Sequence, residues 1–178
     1  MRHKSPLMSV ALLVIDMQND LVDALTGERR DDLIAAVSDL LRDARANATP
    51  VVYIRHNEDA PGPLRFGTPP WEIAASIAPL PGEPIVEKQF GDAFQETDLA
   101  GVLADRGIDE LVVCGMQSDF CVAATVRGAM KRGYRVTLVE DAHATYASAG
   151  KTEREIIDDL HRSFRGDAVR LVYATAAF

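Results

Sequence analysis

"LVVCGMQSDFCVAATVRGAMKRGYRVTLVE", residues 111–140, passes from one apolar stretch to another through a helical stripe. The opening "LVVCG" is apolar without alternation, the pattern of a parallel strand covered on both faces. Val122, Val126, Ala129 and Met130 then recur at helical spacing, and Gly133 supplies the stop. "VTLVE" (136–140) reads as the next strand.

The same rhythm extends in both directions. "VALLVI" (10–15), "VVYI" (51–54), "PIVE" (84–87) and "VRLVY" (169–173) read as further strands. The first is again apolar throughout. The last alternates, with Val169, Leu171 and Tyr173 on one side, which places it at an edge. Leu33, Ile34, Val37, Leu40, Leu41 and Ala44 keep a helical stripe between the first two strands. Leu99, Val102 and Leu103 form a shorter one, expected to be capped by Thr97 and stopped by Gly107. Ile156, Ile157, Leu160 and Phe164 form the last. Alternation of this kind implies an α/β fold, an open parallel sheet with helices on both faces. "HNEDAPGPLRFGTPPW" (56–71) breaks the rhythm with four of the nine prolines, so it reads as a long loop, and loops this long are usually functional or mobile.

A chain of 178 residues with 47% hydrophobic and 26% charged residues fits one globular domain and excludes a disordered one. Its formal charge of -8, without a basic run, argues against a nucleic-acid partner. The longest apolar run, Val10 to Ile15, falls far short of the roughly 20 residues a bilayer helix needs, which argues against a membrane. "MRHKSPLM" (1–8) reads as a flexible tail rather than a signal peptide, and the expected location is cytoplasmic.

Sites on open parallel sheets form beyond the carboxyl ends of the strands. Asp16 follows the first strand, Lys88 the third, and Cys121 the fourth after a short turn. Ser118 or Asp119 is expected to cap the helix that follows, placing Cys121 in its first turn, where the helix dipole favours a thiolate. Cys114, the other cysteine, lies inside an apolar strand and reads as an inert buried thiol. A disulfide would be unusual in a cytosolic chain, and a metal pair lacks further Cys or His ligands at suitable spacing. Each residue has a plain reading as well: a turn-forming aspartate, a solvated lysine, a small buried hydrophobe. Together at three strand ends they offer a nucleophile with a carboxylate and an ammonium beside it, if all three converge.

These residues lie in segments similar to the isochorismatase-like cysteine hydrolases. The segments are "LLVIDMQNDLV" around Asp16, "PVVYIRHN", "GTPPWEI", "VEKQFGDAFQETDL" around Lys88, "LVVCGMQSDFCVAATVRGAM" around Cys121, and "GYRVTLVEDAHAT". The resemblance spans nearly the whole chain. It implies a single Rossmann-like domain over residues 9–178, with a six-stranded parallel sheet, and assembly into a homo-oligomer, a dimer or larger. It implies a catalytic triad of Asp16, Lys88 and Cys121. It further implies a cis peptide between Met116 and Gln117, aiming the Gln117 N–H, with that of Cys121, into an oxyanion hole. The expected reaction is cleavage of a C–N bond in a small amide, carbamoyl or ureido substrate through a thioester.

Alternatives differ in what they ask of Cys121. Family enzymes that cleave the enol ether of isochorismate generally lack the cysteine. A non-catalytic regulatory module with strand-end Asp and Lys, such as a phosphoacceptor receiver domain, gives the cysteine no task. The family's nicotinamidases bind a metal through an Asp-x-His pair, whereas "RHNEDAPGP" has only His56, so no metal and no cofactor are expected. His56, Trp71 and Phe120 are candidate pocket walls, although a lone tryptophan is as often a core anchor and Phe90, Phe94 and Phe120 can equally be packing. Arg55 or Arg65 is a candidate partner for a substrate carboxylate.

Overall fold

The computed structural model describes residues 9–59, 61–167 and 169–178; the tail expected at residues 1–8 lies outside them. Six strands form one sheet: β1 (Val10–Ile15), β2 (Val51–His56), β3 (Ile85–Lys88), β4 (Glu110–Met116), β5 (Arg135–Ala144) and β6 (Arg170–Val172). Their order is β3-β2-β1-β4-β5-β6 and every neighbouring pair is parallel. The order reverses at β1, whose neighbours are β2 and β4. A crevice at the carboxyl ends therefore opens beside Asp16.

Burial explains the unbroken apolar runs. Leu12 and Val14 of β1 face one core with Val112 and Cys114 of β4. The helix α2 (Glu28–Ala46) covers that core with Leu33, Val37, Leu40, Leu41 and Ala44. Leu13 and Ile15 face the opposite core with Ile54, Val113 and Leu138. There α3 (Leu99–Ala104), α4 (Ala123–Lys131) and α5 (Glu153–Gly166) contribute Leu103, Val126 and Phe164. A short α1 (Asn19–Asp23) follows β1. Helix α5 starts with a reciprocal cap: Glu155 N–H donates to Thr152 Oγ1, and Thr152 N–H donates to the Glu155 carboxylate. Such a cap stabilises a helix by about 1 kcal/mol.

Two local expectations are corrected. Asp98, not Thr97, is the residue preceding α3, and its side chain makes no cap hydrogen bond; Thr97 Oγ1 instead accepts from Leu99 N–H two residues on, at 3.3 Å. Strand β5 continues beyond residue 140 because its pairing with β4 shifts register between Val113 and Gly115 and resumes at Gly115 with His143. The intervening Glu140 and Asp141 read as a strand end, since a bulge interrupts the apolar pattern.

Gly115 sits at that irregularity with φ +123°, and a Cβ there would lie 2.0 Å from the carbonyl oxygen of Ile15. The obstacle is backbone of a central strand, so it cannot give way. Gly115→Ala should cost about 3 kcal/mol or more. Urea unfolding would read this as a lower midpoint; an unchanged midpoint would show that the two strands can part. The residue after Ile15 is Asp16, itself at φ +48°, so the close approach lies one residue from the carboxylate.

Candidate active site

Asp16, Lys88 and Cys121 come together at the carboxyl edge of the sheet. Lys88 Nζ lies 2.8 Å from Asp16 Oδ2, and both side chains are fully buried. It also donates to Cys121 Sγ at 3.2 Å. A fourth residue joins them: His56 Nδ1 is 2.9 Å from Lys88 Nζ. An ammonium can only donate, so Nδ1 accepts and the imidazole carries its proton on Nε2. His56 and Lys88 end adjacent strands and are paired in register.

The Asp16 carboxylate is in close ionic contact with Lys88, yet among the described residues neither oxygen receives a well-directed hydrogen bond. Its lone pairs are buried and unengaged, which suits a group that takes up a proton. Burial, then the Asp16 charge, pushes the Cys121 thiol up to about 12, with Lys88 opposing. Burial thus opposes the thiolate that the start of a helix and the Lys88 charge would favour. Burial also pushes the Cys114 thiol well above the usual range, and its Sγ contacts the Leu13 carbonyl at 3.7 Å. Both cysteines are free.

The segment carrying Cys121 differs from the expected helix start. Ser118–Val122 is a π turn, closed by Val122 N–H to the Gln117 carbonyl at 3.1 Å, and no side chain caps it. Ser118 Oγ instead bonds to His143 Nδ1 at 2.7 Å, and Asp119 accepts from Thr145 Oγ1 at 2.5 Å. The preceding Met116–Gln117 peptide is cis. His143 Nε2 in turn lies 2.8 Å from His161 Nε2, so a buried line of side chains runs from the π turn to α5. Burial and the neighbouring His161 hold His143 down at about 3, hence neutral.

Gln18 is a further positioning residue that the sequence reading did not single out. Its fully buried amide accepts from His56 N–H and donates to the His56 carbonyl, both at 2.9 Å. It also donates to the Trp71 carbonyl at 2.8 Å. One amide thus ties the end of β1 to the end of β2 and to the loop.

The other expected pocket residues separate. Trp71 is buried, with the Arg55 guanidinium 3.5 Å above its ring and its Nε1 donating to Asn57 Oδ1. It anchors the loop. Phe94 is buried packing stacked on Tyr134. Phe120, 60% exposed, stands beside Cys121 on the π turn. Arg55 is paired with Glu87 at 2.5 Å, while Arg65 is exposed on the loop. A polar cleft of about 190 Å³ reaches Lys88 between Asn57, Glu87, Gln89, Phe90 and Glu96. A roomier cleft of about 680 Å³, walled by Arg29, Glu140, Arg154, His161 and Tyr173, includes none of Asp16, Lys88 or Cys121. Volume alone does not mark this site.

Asp16, His56 and Cys121 place ligand atoms within 4.8 Å of one another, close enough to hold a metal. Lys88 Nζ, however, lies within 3.2 Å of an acceptor on each of them. The focus of the donor set is already filled by a positive charge, so the residues do not fit a metal.

The isochorismatase domain family matches residues 10–169. A streptothricin hydrolase from Streptomyces noursei is 43% identical over 138 residues, covering 76% of this chain and 54% of that protein. The chain spans about half the length of the streptothricin hydrolases it matches. An isochorismatase structure from Pseudomonas putida superposes with a TM-score of 0.87 at 29% identity, covering 95% of this chain and 90% of the other. N-carbamoylsarcosine amidase from Thermoplasma acidophilum superposes at 0.79 and 27% identity, covering 94% and 97%. With the six-stranded parallel sheet and a match over nearly its full length, the chain belongs to the isochorismatase family.

Proposed function

We propose that the chain is a cysteine-dependent hydrolase of a C–N bond in a small amide, carbamoyl or ureido substrate. The observation that carries this reading is the buried Lys88 ammonium between Asp16 and Cys121, with both Asp16 oxygens otherwise unengaged. Relatives named as a streptothricin hydrolase and an N-carbamoylsarcosine amidase support the reaction class.

Asp16 takes the thiol proton as Sγ attacks the substrate carbonyl, and Lys88 balances the negative charge as it moves from carboxylate to sulfur. The Gln117 and Cys121 N–H groups are assigned to the oxyanion that forms. Collapse breaks the C–N bond, and Asp16 returns its proton to the departing amine. Water then attacks the thioester, again giving a proton to Asp16, and the acid leaves as the thiol is restored. A resting thiol near 12 fits this order, because proton transfer accompanies attack rather than preceding it. The steps use the Asp16, Lys88 and Cys121 side chains, two backbone N–H groups and water, and ask for no metal.

The test is ammonia release from a panel of primary amides, carbamoyl and ureido compounds, with Cys121→Ala as control. Activity on at least one class, absent in Cys121→Ala, is expected; equal activity in the variant would overturn the mechanism. Chelators should leave the rate unchanged. A chelated enzyme restored by zinc or iron would refute the metal-free reading.

A further inference from the structure

We propose that His56 is a positioning residue for this site: by accepting one N–H of the Lys88 ammonium, it keeps another directed at Cys121 Sγ while the charge stays beside Asp16. The proposal rests on the reading of Asp16, Lys88 and Cys121 as the reacting group. An ammonium has three hydrogens and no lone pair. Lys88 Nζ has two hydrogen-bond acceptors, His56 Nδ1 at 2.9 Å and Cys121 Sγ at 3.2 Å, and lies in ionic contact with Asp16 Oδ2 at 2.8 Å. With the Lys88 side chain at 0% exposure, bulk water is not at hand to replace any of them.

The longest of the three contacts is the one to sulfur, and it is the one the chemistry needs. Without an acceptor at His56, the ammonium is free to turn toward the charged carboxylate, the strongest partner in reach. The contact with Sγ loosens, and the attacking sulfur loses its counter-charge. His56 can prevent this only if it is itself held, and it is. The Gln18 amide grips its N–H and its carbonyl, and β3 pairs alongside it.

This role requires the neutral imidazole with its proton on Nε2, because imidazolium has no acceptor. The groups facing His56 are Lys88 from β3, Asp16 from the end of β1, Cys121 from the π turn and Glu58 from its own loop. Burial first, and Lys88 second, hold His56 below its ordinary value, against Asp16 and Glu58. Acceptance is thus in force at neutral pH and is lost as pH falls through the lowered value.

The test is iodoacetamide alkylation of Cys121 in a Cys114→Ala background, which needs no substrate. Asparagine places its Oδ1 close to where Nδ1 lies, whereas glutamine carries its amide out to the Nε2 position and leucine accepts nothing. His56→Leu and His56→Gln should lower the alkylation rate at pH 7 about tenfold, with His56→Asn within about threefold of the parent. The acid limb that follows His56 should be present in the parent and absent in His56→Asn. Long-range proton–nitrogen NMR of the unmutated protein at pH 7 should show the Nε2–H tautomer, independent of how well any variant folds. Equal rates in the Asn and Leu variants, or the Nδ1–H tautomer, would overturn the proposal. Lys88→Ala separates the two levels of argument. If it slows alkylation while His56→Leu does not, only the role of His56 fails; if neither slows it, the reacting group itself is misassigned.

Discussion

Cys121→Ser should lower turnover on any identified substrate by about 10⁴-fold or more, while Cys114→Ala keeps most of it. The two thiols lie on opposite sides of the sheet. Cys114 belongs to the core beneath α2, whereas Cys121 packs against the core beneath α3, α4 and α5. Cys114 is fully buried in the core beneath α2, with its Sγ 3.7 Å from the Leu13 carbonyl, so no substrate reaches it. Its loss leaves a small void on the order of 1–2 kcal/mol, felt in stability rather than rate. Cys121 is the sulfur in contact with Lys88, and Asp16 is close enough to influence its proton. A serine hydroxyl is far less acidic than a thiol and a poorer leaving group from the tetrahedral intermediate, so a carboxylate base cannot activate it in the same place. Steady-state rates and circular dichroism of both variants decide the matter. Comparable losses in the two, with both folded, would remove Cys121 from its assigned role.

The sheet was legible because burial on both faces leaves a direct mark: "VALLVI" and "LVVCG" have no polar phase at all. The edge assignment of the last strand followed from Val169, Leu171 and Tyr173 for the converse reason, and β6 does end the sheet. Asp16, Lys88 and Cys121 could be marked as candidates because strand ends are countable along the chain. Their partners were not, since His56 meets Lys88 across 32 residues and Gln18 meets Trp71 across 53. Nothing local announces those contacts; they arise from which strands become neighbours. The caps failed for a related reason. Ser118 and Asp119 have the residue types of helix caps, but His143 and Thr145, brought alongside by the register shift between β4 and β5, compete for their oxygens. The contact between His143 and His161 is equally non-local, the two lying 18 residues apart on a strand and a helix that meet only when folded.

Lys88→Met should destabilise the fold by about 3–5 kcal/mol at pH 7, as well as abolish turnover, and Asp16→Asn in the same chain should restore most of the stability and none of the activity. The reason lies in the burial of the pair. Both side chains have 0% exposure, and the Asp16 oxygens have no directed hydrogen bond to fall back on. Removing the ammonium therefore strands a carboxylate in the interior, whereas removing both charges leaves a neutral amide beside a thioether of similar volume to lysine, with no unpaired charge. The two stability effects should be strongly non-additive, because the cost of the single variant is the unpaired charge and not a lost contact. Turnover follows a different logic. The double variant has neither the base for the thiol proton nor the charge facing sulfur, so recovery of stability cannot bring recovery of rate. A double-mutant cycle of urea midpoints, read beside the rates, separates the two. If Lys88→Met unfolds at the parent midpoint, the Asp16 carboxylate must be finding solvent or another partner, and the closed ion pair is not what holds this edge of the sheet together.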